Sequence, residues 1–307
     1  MAKRTRAMVQ QRKVLELLRL GGMKIPAGFA SKAADVTRTR LQQKMDAGSA
    51  IQKPGAKLLG QLKGPSMVAV NDPSNKKALD GLLSWHKKVA AKKLAFPKVA
   101  AGIGDFVPGM ISGTIVPPFD FADTIPALLA NVSNPTLAAS ANRSGQMSAS
   151  AVSSQTKGFN GGSEYARVGI FFHPMTQGTL TISASPTYSF QWSTNSLNTT
   201  FVSSSGSVGL TIYGMNEFAQ ILATAGGLYE SWQEMDSGQI NLNFGFDVQK
   251  PLSATLNVGP SLIYLCFVEV FAFAAGMGWP GSLATAMASA TVPSISYSFE
   301  SLPVFTQ

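Results

Sequence analysis

The chain has 307 residues, a formal net charge of +9 and a single cysteine, Cys266, so an intrachain disulfide is excluded. Charged residues make up 13% of the chain, which is low against about 25% in typical proteins. The two histidines, His86 and His173, lie far apart in the sequence, which excludes a zinc site built from cysteines and histidines. We therefore expect no metal and no cofactor.

The positive charge lies almost entirely in residues 1–98, here called the basic segment. It holds 21 of the 25 lysines and arginines and five acidic residues, a net charge of +16, whereas residues 99–307 carry −7. A concentrated cation attracts a polyanion or an anionic surface. Lysines outnumber arginines 15 to 6 in the segment and aromatic residues are scarce, which predicts electrostatic nucleic-acid binding without base recognition. The residues predicted to make these contacts are Lys3, Arg4, Arg6, Arg12, Lys13, Arg19, Arg38, Arg40, Lys76, Lys77, Lys87, Lys88, Lys92 and Lys93.

The basic segment is predicted to be an arm that is partly helical and partly disordered. Residues 1–20 predict a short basic helix that Gly21 and Gly22 end. Residues 23–73 contain four prolines and little apolar periodicity, and a helix is expected there only over residues 33–45. Ser74 is a suitable N-cap for an amphipathic helix over residues 75–94, which carries six lysines. This lysine face either is solvated above a packed helix or binds a polyanion.

Residues 99–143 separate the basic segment from the rest of the chain. The stretch 97–118 is rich in glycine and proline, and the net charge changes sign there. We therefore predict a hinge and lead-in over residues 99–143, with a short helix around residues 123–130.

From residue 144 the apolar pattern acquires a period of two, which is typical of half-buried strands. Turn residues separate these strands, no helices alternate with them, and their Ser/Thr-rich composition suits outer faces that are polar but not ionic. Residues 144–307 are therefore predicted to form a mainly β, antiparallel, jelly-roll-like β-sandwich body. Residues 216–232 break the pattern and are expected to form a helix or a loop. The predicted strands are 146–153, 165–173, 179–184, 187–192, 207–213, 239–249, 254–258, 262–274 and 290–299.

The longest apolar run, residues 261–278, is predicted to be a buried strand that contains Cys266 as a small apolar side chain. It is too short, and interrupted by Glu269, to be a clean membrane span, and the N terminus lacks the apolar core of a signal peptide. A period of two puts Glu269 on the same face as Phe267 and Phe271. This face is an interface, the edge of a ligand site or plain surface.

No catalytic residue can be assigned from the sequence. A G-x-S-x-G motif and phosphate-loop signatures are absent, and eleven acidic residues in the body give only a weak basis for a carboxylate pair. His173 is expected to be structural. We therefore expect a protein that is not an enzyme.

The order of a basic arm followed by an uncharged β-sandwich resembles the coat proteins of small icosahedral RNA viruses, in which a basic interior arm precedes a jelly-roll shell domain. The resemblance is architectural, covers the whole chain loosely and involves no diagnostic motif. The arm departs from the family pattern because it is lysine- and alanine-rich rather than dense in arginine. The resemblance implies self-association, nonspecific RNA binding and a location in a virion or the cytoplasm.

A second interpretation is a bacterial β-sandwich that binds a ligand, such as a lectin-like or toxin-accessory module. The body contains Trp192, Trp232 and Trp279, and aromatic side chains on sandwich faces bind glycans and other amphipathic ligands. The basic segment would then dock on an anionic membrane or a partner. Binding of a glycan by the isolated body would favour this interpretation.

Overall fold

The computed structural model of the chain describes residues 2–42, 77, 110–128, 136–154, 158–195, 201–236, 240–244, 248–249, 251–278 and 283–301. Two helices come first, α1 (Ala2–Leu20) and α2, whose described part is residues 29–42. Gly21 and Gly22 adopt positive φ, a conformation that glycine tolerates best, and α1 ends there as predicted.

The strands that follow are β1 (Met110–Ile115), β2 (Phe121–Leu128), β3 (Thr136–Ala141), β4 (Gln146–Ser154), β5 (Gly158–Phe172), β6 (Gly178–Ala184), β7 (Thr187–Asn195), β8 (Phe201–Met215), β9 (Ile221–Asp236), β10 (Ile240–Phe244), β11 (Val248–Gln249), β12 (Leu252–Val258), β13 (Ile263–Gly278), β14 (Leu283–Thr291) and β15 (Ile295–Ser301). All the strand pairs are antiparallel, and they form three sheets. The prediction of a mainly β, antiparallel, sandwich-like body is confirmed.

The central sheet has the order β2-β5-β13-β8-β9. The four-stranded sheet has the order β1-β15-β6-β12, and the six-stranded sheet has the order β10-β7-β14-β4-β3, with β11 also paired to β7. Strands of both smaller sheets pack against the long strands of the central sheet. The sandwich therefore has two layers, and the second layer is divided into two sheets.

The division of the second layer follows from three prolines. The chain passes from one smaller sheet to the other at residues 185–186, 250–251 and 292–294, and each crossing contains a proline: Pro186, Pro251 and Pro293. The registers align these crossings, since Ala184 lies opposite both Leu252 and Ile295. Proline has no N–H to donate to a strand ladder, so pairing is interrupted on neighbouring strands at the same level and the layer bends.

The main core fills the space between the two layers. Alternate residues of β13, namely Cys266, Val268 and Val270, are fully buried in it, as the apolar run predicted. Burial raises the pKa of the Cys266 thiol, which therefore stays protonated and packs as an apolar side chain.

A second apolar cluster lies on the other face of the central sheet. There Phe29 and Ala33 of α2 are buried against Phe121, Phe171 and Phe267. The ring centroids of Phe29 and Phe171 are 5.8 Å apart in an edge-to-face arrangement. The first part of the basic segment is thus packed on the body rather than projecting from it as an arm.

Two local predictions in the lead-in are wrong. The helix expected around residues 123–130 is the strand β2, and the hinge over residues 99–143 contributes β1, β2 and β3 to the sheets. Phe121 and Ile125 are buried on β2, and Pro126 is tolerated because β2 is an edge strand. The helix expected over 33–45 is confirmed as α2, although it begins at residue 29.

Two predictions in the body are also corrected. Residues 216–232 hold a tight turn and then β9, where the helix or loop was expected. Gly226 and Gly227 have positive φ and lie beside a register shift in the pairing of β8 with β9. The shift exchanges inward and outward positions along β9, so the sequence of this strand does not show a continuous period of two. The single strand expected over 290–299 is divided between β14 and β15 at the crossing that contains Pro293.

The helix predicted over residues 75–94 lies outside the described residues except for Lys77, which is helical and exposed. Neither helix, within the described part of the chain, has the length and apolar character needed to cross a membrane.

Candidate functional site

Arg19 is not available as a nucleic-acid contact, contrary to the prediction. Its side chain is 2% exposed and pairs with the Asp120 carboxylate. Arg19 Nη1 donates to the Phe171 carbonyl at 2.8 Å, and the Phe171 N–H donates to Asp120 at 2.9 Å. The His173 N–H also donates to the Arg19 carbonyl at 2.9 Å. This network fixes the end of α1 to the end of β5.

The other described arginines of the helices are also engaged. Arg12 pairs with Glu16 at 3.2 Å and donates to the Pro118 carbonyl at 2.9 Å. Arg40 lies over the Tyr213 ring, with 5.7 Å between the guanidinium carbon and the ring centroid. Arg38 is exposed, although it shares its charge with Asp35 at 3.1 Å.

The lysines of the helices differ from the arginines in exposure. Lys13 on α1 and Lys32 on α2 are exposed, as is Lys24 in the connection between the two helices. The remaining predicted contacts are outside this comparison: Lys3, Arg4 and Arg6 lie on α1 with side chains outside the described part, and Lys76, Lys87, Lys88, Lys92 and Lys93 lie outside the described residues. Where side chains are described, therefore, Arg12, Arg19 and Arg40 contact the body, whereas the lysines remain open to an anion.

A buried ion pair lies on the outer face of the central sheet. Arg167 is fully buried, and its Nη2 donates to Asp123 at 2.7 Å. Its guanidinium carbon lies 5.4 Å and 5.2 Å from the ring centroids of Phe121 and Phe267. Glu269 lies directly opposite Arg167 in the pairing of β13 with β5. Glu269 therefore lies at a register position next to this ion pair, on the strand that also carries Phe267.

The charge of Glu269 also affects two neighbouring tyrosines. Burial, reinforced by the negative charge of Glu269, raises the pKa of Tyr213 to about 12. The same two causes raise the pKa of Tyr165, whose ring centroid is 4.7 Å from that of Phe271. Both tyrosines therefore remain neutral at physiological pH and act as packing groups.

Glu164 is a buried carboxyl on the inner side of the central sheet. It is 4% exposed and lies opposite Ala272 and Pro126. Desolvation by burial raises its pKa to about 7.

Among the described residues, no group of three or more histidine, cysteine or acidic side chains could hold a metal ion.

The three tryptophans proposed as ligand contacts do not form a described site. Trp192 lies on β7, partly buried against the main core. Trp232 lies on β9 with its side chain outside the described part, and Trp279 is outside the described residues.

The outer face of the six-stranded sheet carries rows of hydroxyl groups, together with the exposed side chain of Met287 on β14. Ser140 bonds Ser148 at 2.9 Å, and Ser289 bonds Ser189 at 2.8 Å. Since Ser148 lies opposite Ser289, these four residues form one row across β3, β4, β14 and β7. A parallel bond joins Ser193 to Thr285 at 2.6 Å.

The four-stranded sheet repeats this arrangement. Thr114 bonds Ser296 at 2.9 Å, and Thr181 bonds Thr255 at 3.0 Å. Glu300 is the charged residue among the described positions of its four strands. The polar outer face without ionic groups, which the sequence predicted, is therefore present on the described strands of the six-stranded sheet. On the four-stranded sheet, Glu300 lies on the same outer face as Ser296 and Ser298, so that face is polar but carries one charge.

A shallow depression of about 410 Å³ lies on the hydroxyl face of the six-stranded sheet. Ser140, Gln146 and Thr187 are among its lining residues. Tyr188 also borders it but is 1% exposed, so its ring offers no stacking surface.

No family model matches the chain. No curated protein matches it either. Three solved structures resemble it loosely: the enzymatically active domain of bacteriophage CBA120 tailspike protein 4, a CBM4 structure, and VP2 of infectious bursal disease virus in T=1 particles. Their identities are 10%, 10% and 13%, with TM-scores of 0.20, 0.20 and 0.19. The matches cover 57%, 58% and 68% of this chain and 19%, 96% and 46% of those chains, respectively. At such scores, none of them assigns a function to this chain.

Proposed function

We propose that this chain is a non-enzymatic, coat-like structural protein, whose β-sandwich makes protein–protein contacts and whose lysines bind nucleic acid without sequence specificity. The observation that carries the proposal is the division of charge: exposed cations in the basic segment and hydroxyl faces on the sandwich. RNA is the nucleic acid we expect.

Because α1 and α2 pack on the body, we assign nucleic-acid binding mainly to the rest of the basic segment, which is rich in lysine. Residues 43–98 contain eleven lysines, no arginine and three acidic residues, a net charge of +8. Lysine acts on phosphate as a point charge, and binding releases the counterions that surround the nucleic acid. The affinity should therefore fall steeply with salt and vary little with base sequence.

The hydroxyl faces suit contacts between copies of the chain. Ser189 and Ser289, like Thr181 and Thr255, already bond each other across the strands. Burying polar groups that are already hydrogen-bonded costs less than burying unpaired ones, and a face without like charges does not repel a second copy. Copies that meet through the outer face of the six-stranded sheet can therefore associate at neutral pH without desolvating ions on that face.

The test is to purify the full chain at low salt and to measure particle size by electron microscopy and bound nucleic acid by absorbance. We expect closed or large assemblies that contain RNA. A matched variant replaces Lys76, Lys77, Lys87, Lys88, Lys92 and Lys93 with glutamine. It should still assemble but retain several-fold less RNA. A full-length protein that stays monomeric and free of nucleic acid would overturn the proposal.

The alternative function, glycan binding by the body with membrane docking by the basic segment, draws on the hydroxyl-lined depression of the six-stranded sheet. Saturable binding of one glycan by the full chain would support it if Gln146→Ala weakens that binding. Binding to vesicles containing anionic lipid, with no assembly and no RNA, would favour the membrane role over the coat-like one.

A further inference from the structure

We propose that two copies of this chain pair through β3, edge to edge and antiparallel, so that the six-stranded sheet continues from one copy into the next. This inference rests on the proposed assembly function and assigns one of its contacts. An exposed strand edge presents unpaired N–H and C=O groups that can pair with another chain.

Most edge strands of this molecule carry features that oppose such pairing. The edge strand β2 contains Pro126 and Asp123, and β9 contains positive-φ glycines and two register shifts. The strand β1 lies beside α1, because Gly113 of β1 is close to Leu15 of α1. A Cβ atom added to Gly113 would be 2.8 Å from Leu15 Cδ2. The short strands β10 and β11 share the far edge of the six-stranded sheet and pair separately with β7. Among the described strands, β3 and β12 are the regular edges with neither charge nor proline.

Burial distinguishes β3 from β12. On β12 three of the four inward residues, Leu252, Ala254 and Val258, are already 0–5% exposed, and Leu256 alone is partly buried. On β3 every inward residue remains only partly buried against the main core, and every outward residue is exposed. These inward residues are Leu137, Ala139 and Ala141. A second copy at this edge would cover apolar surface that the monomer leaves partly in water.

The backbone of β3 is oriented for this pairing. The Asn142 N–H donates to the Gln146 carbonyl at 3.0 Å, so positions 142 and 146 are a hydrogen-bonded pair of the hairpin. Because such pairs alternate along an antiparallel ladder, even-numbered residues of β3 direct their N–H and C=O groups to β4. The odd-numbered residues therefore direct theirs to the free edge, where a second strand can bond them.

If a two-fold axis relates the two copies of β3 at Ala138, outward residues of one copy lie opposite outward residues of the other, and inward residues lie opposite inward residues. This axis places Thr136 opposite Ser140 of the second copy on the outer face, and Leu137 opposite Ala139 on the inner face. The hydroxyl row of Ser140 and Ser148 then continues into the second copy. The two Ala138 residues form a pair that is not hydrogen-bonded, with Cα atoms about 4.5 Å apart.

Cysteine substitution tests this arrangement in the full-length chain. Two cysteines at that Cα separation can form a disulfide, and the native Cys266 is fully buried and stays out of the reaction. Ala138→Cys should yield mostly covalent dimers on mild oxidation, visible on a non-reducing gel, whereas the wild-type chain should yield none. Thr255→Cys is the matched control, because Thr255 is the exposed central residue of β12. The proposal is overturned if Ala138→Cys cross-links no better than Thr255→Cys.

Ala139→Pro provides a second test that does not depend on oxidation. Residue 139 directs its N–H away from β4, so proline there should keep the fold and remove an intermolecular bond. We expect an unchanged circular dichroism spectrum and at least a tenfold weaker dimer by analytical ultracentrifugation. A folded Ala139→Pro protein that dimerises like the wild type would also overturn the edge pairing.

The two proposals can fail separately. If the wild type forms RNA-containing particles but Ala138→Cys does not cross-link, the β3 contact is wrong and the assembly function stands. If Ala138→Cys cross-links but the wild type forms no particle and binds no RNA, the β3 contact stands and the coat-like function is wrong.

Discussion

The N-terminal helices and the outer faces of the smaller sheets are both exposed to solvent, but their polar groups differ in chemistry. The helices expose lysines such as Lys13 and Lys32, whereas the sheets expose serine and threonine hydroxyls that bond each other across strands. Exposed ammonium groups remain hydrated and attract anions at long range. Paired hydroxyls attract nothing at long range and can be buried at low cost.

Arginine and lysine side chains also differ in where they lie in the structure. Arg19 and Arg167 are buried and paired with aspartates, and Arg167 lies between two phenylalanine rings. The planar guanidinium suits such sites because it pairs with carboxylates and stacks on aromatic rings. Arg19 and Arg167 thus stabilise the fold, whereas Lys13 and Lys32 supply accessible charge.

The largest expected effect follows removal of the buried arginine. Arg167→Met should lower the free energy of unfolding by about 3–5 kcal/mol, because it leaves Asp123 without its partner beneath a packed face. Urea denaturation measures the loss. Arg38→Met, at an exposed i,i+3 pair, is the control and should cost less than about 0.5 kcal/mol. Equal losses in the two variants would contradict the division between structural arginines and exposed cations.

The second largest expected effect is a pH dependence of the free energy of unfolding that arises from Glu164. Its folded pKa of about 7 lies above the ordinary value of 4.5, so the folded state binds more protons than the unfolded state between these pH values. Stability is therefore full below about pH 4.5 for this group and falls as the pH rises to about 7, by up to about 3 kcal/mol.

Glu164→Gln should remove that slope, which denaturation at pH 5, 6, 7 and 8 would measure. The variant should exceed the wild type in stability at pH 8 and not at pH 5. A wild type whose stability rises from pH 5 to pH 8 in parallel with the variant would show that Glu164 is ionised in the folded chain.

Arg19→Met should have a smaller effect on global stability, about 2 kcal/mol, because Asp120 is 21% exposed and keeps the bond from the Phe171 N–H. Its main result should be release of α1, which limited proteolysis would detect as faster cleavage within the first 20 residues. Lys13→Met, on an exposed part of the same helix, is the control. Unchanged cleavage in Arg19→Met would mean that other contacts hold α1.

The smallest effect on folding is expected on the hydroxyl faces. Thr114→Lys loses the bond to Ser296 and should change the free energy of unfolding by only about 0.5–1 kcal/mol. It should nevertheless reduce particle formation, because it introduces like charges between copies. Thr114→Ser keeps the hydroxyl and is the matched control. Normal particles from Thr114→Lys, by electron microscopy, would exclude this face from the assembly contacts.

Much of the body was predictable because its signal is local. The alternation in β6 and β12, and the long apolar run of β13, located those strands to within a few residues. Prediction failed where a proline or glycine pair disturbed the pattern: Pro126 on β2, Gly226 and Gly227 on β9, and Pro293 between β14 and β15. The effect of a proline or glycine on a strand depends on whether the strand lies at the edge or in the interior of its sheet, which the local sequence does not show.

The candidate surfaces were predictable in composition but not in their use. The lysine excess and the neutral body follow directly from the residues. Nothing in the sequence marks Arg19 as buried, because its partner Asp120 lies 101 residues away. Asp123 and Arg167 lie 44 residues apart, so no local pattern indicates that they pair either.

The sequence by itself determined the charge division, the two-residue period of the strands and the absence of intrachain disulfides, because these depend on composition and on neighbouring residues. Only the folded chain shows that α1 and α2 pack on the sandwich, that the second layer bends at three aligned prolines, and that β3 is an edge among the described strands. Those features arise from contacts between segments far apart in the chain, and such contacts follow from the packing of whole sheets rather than from any local pattern.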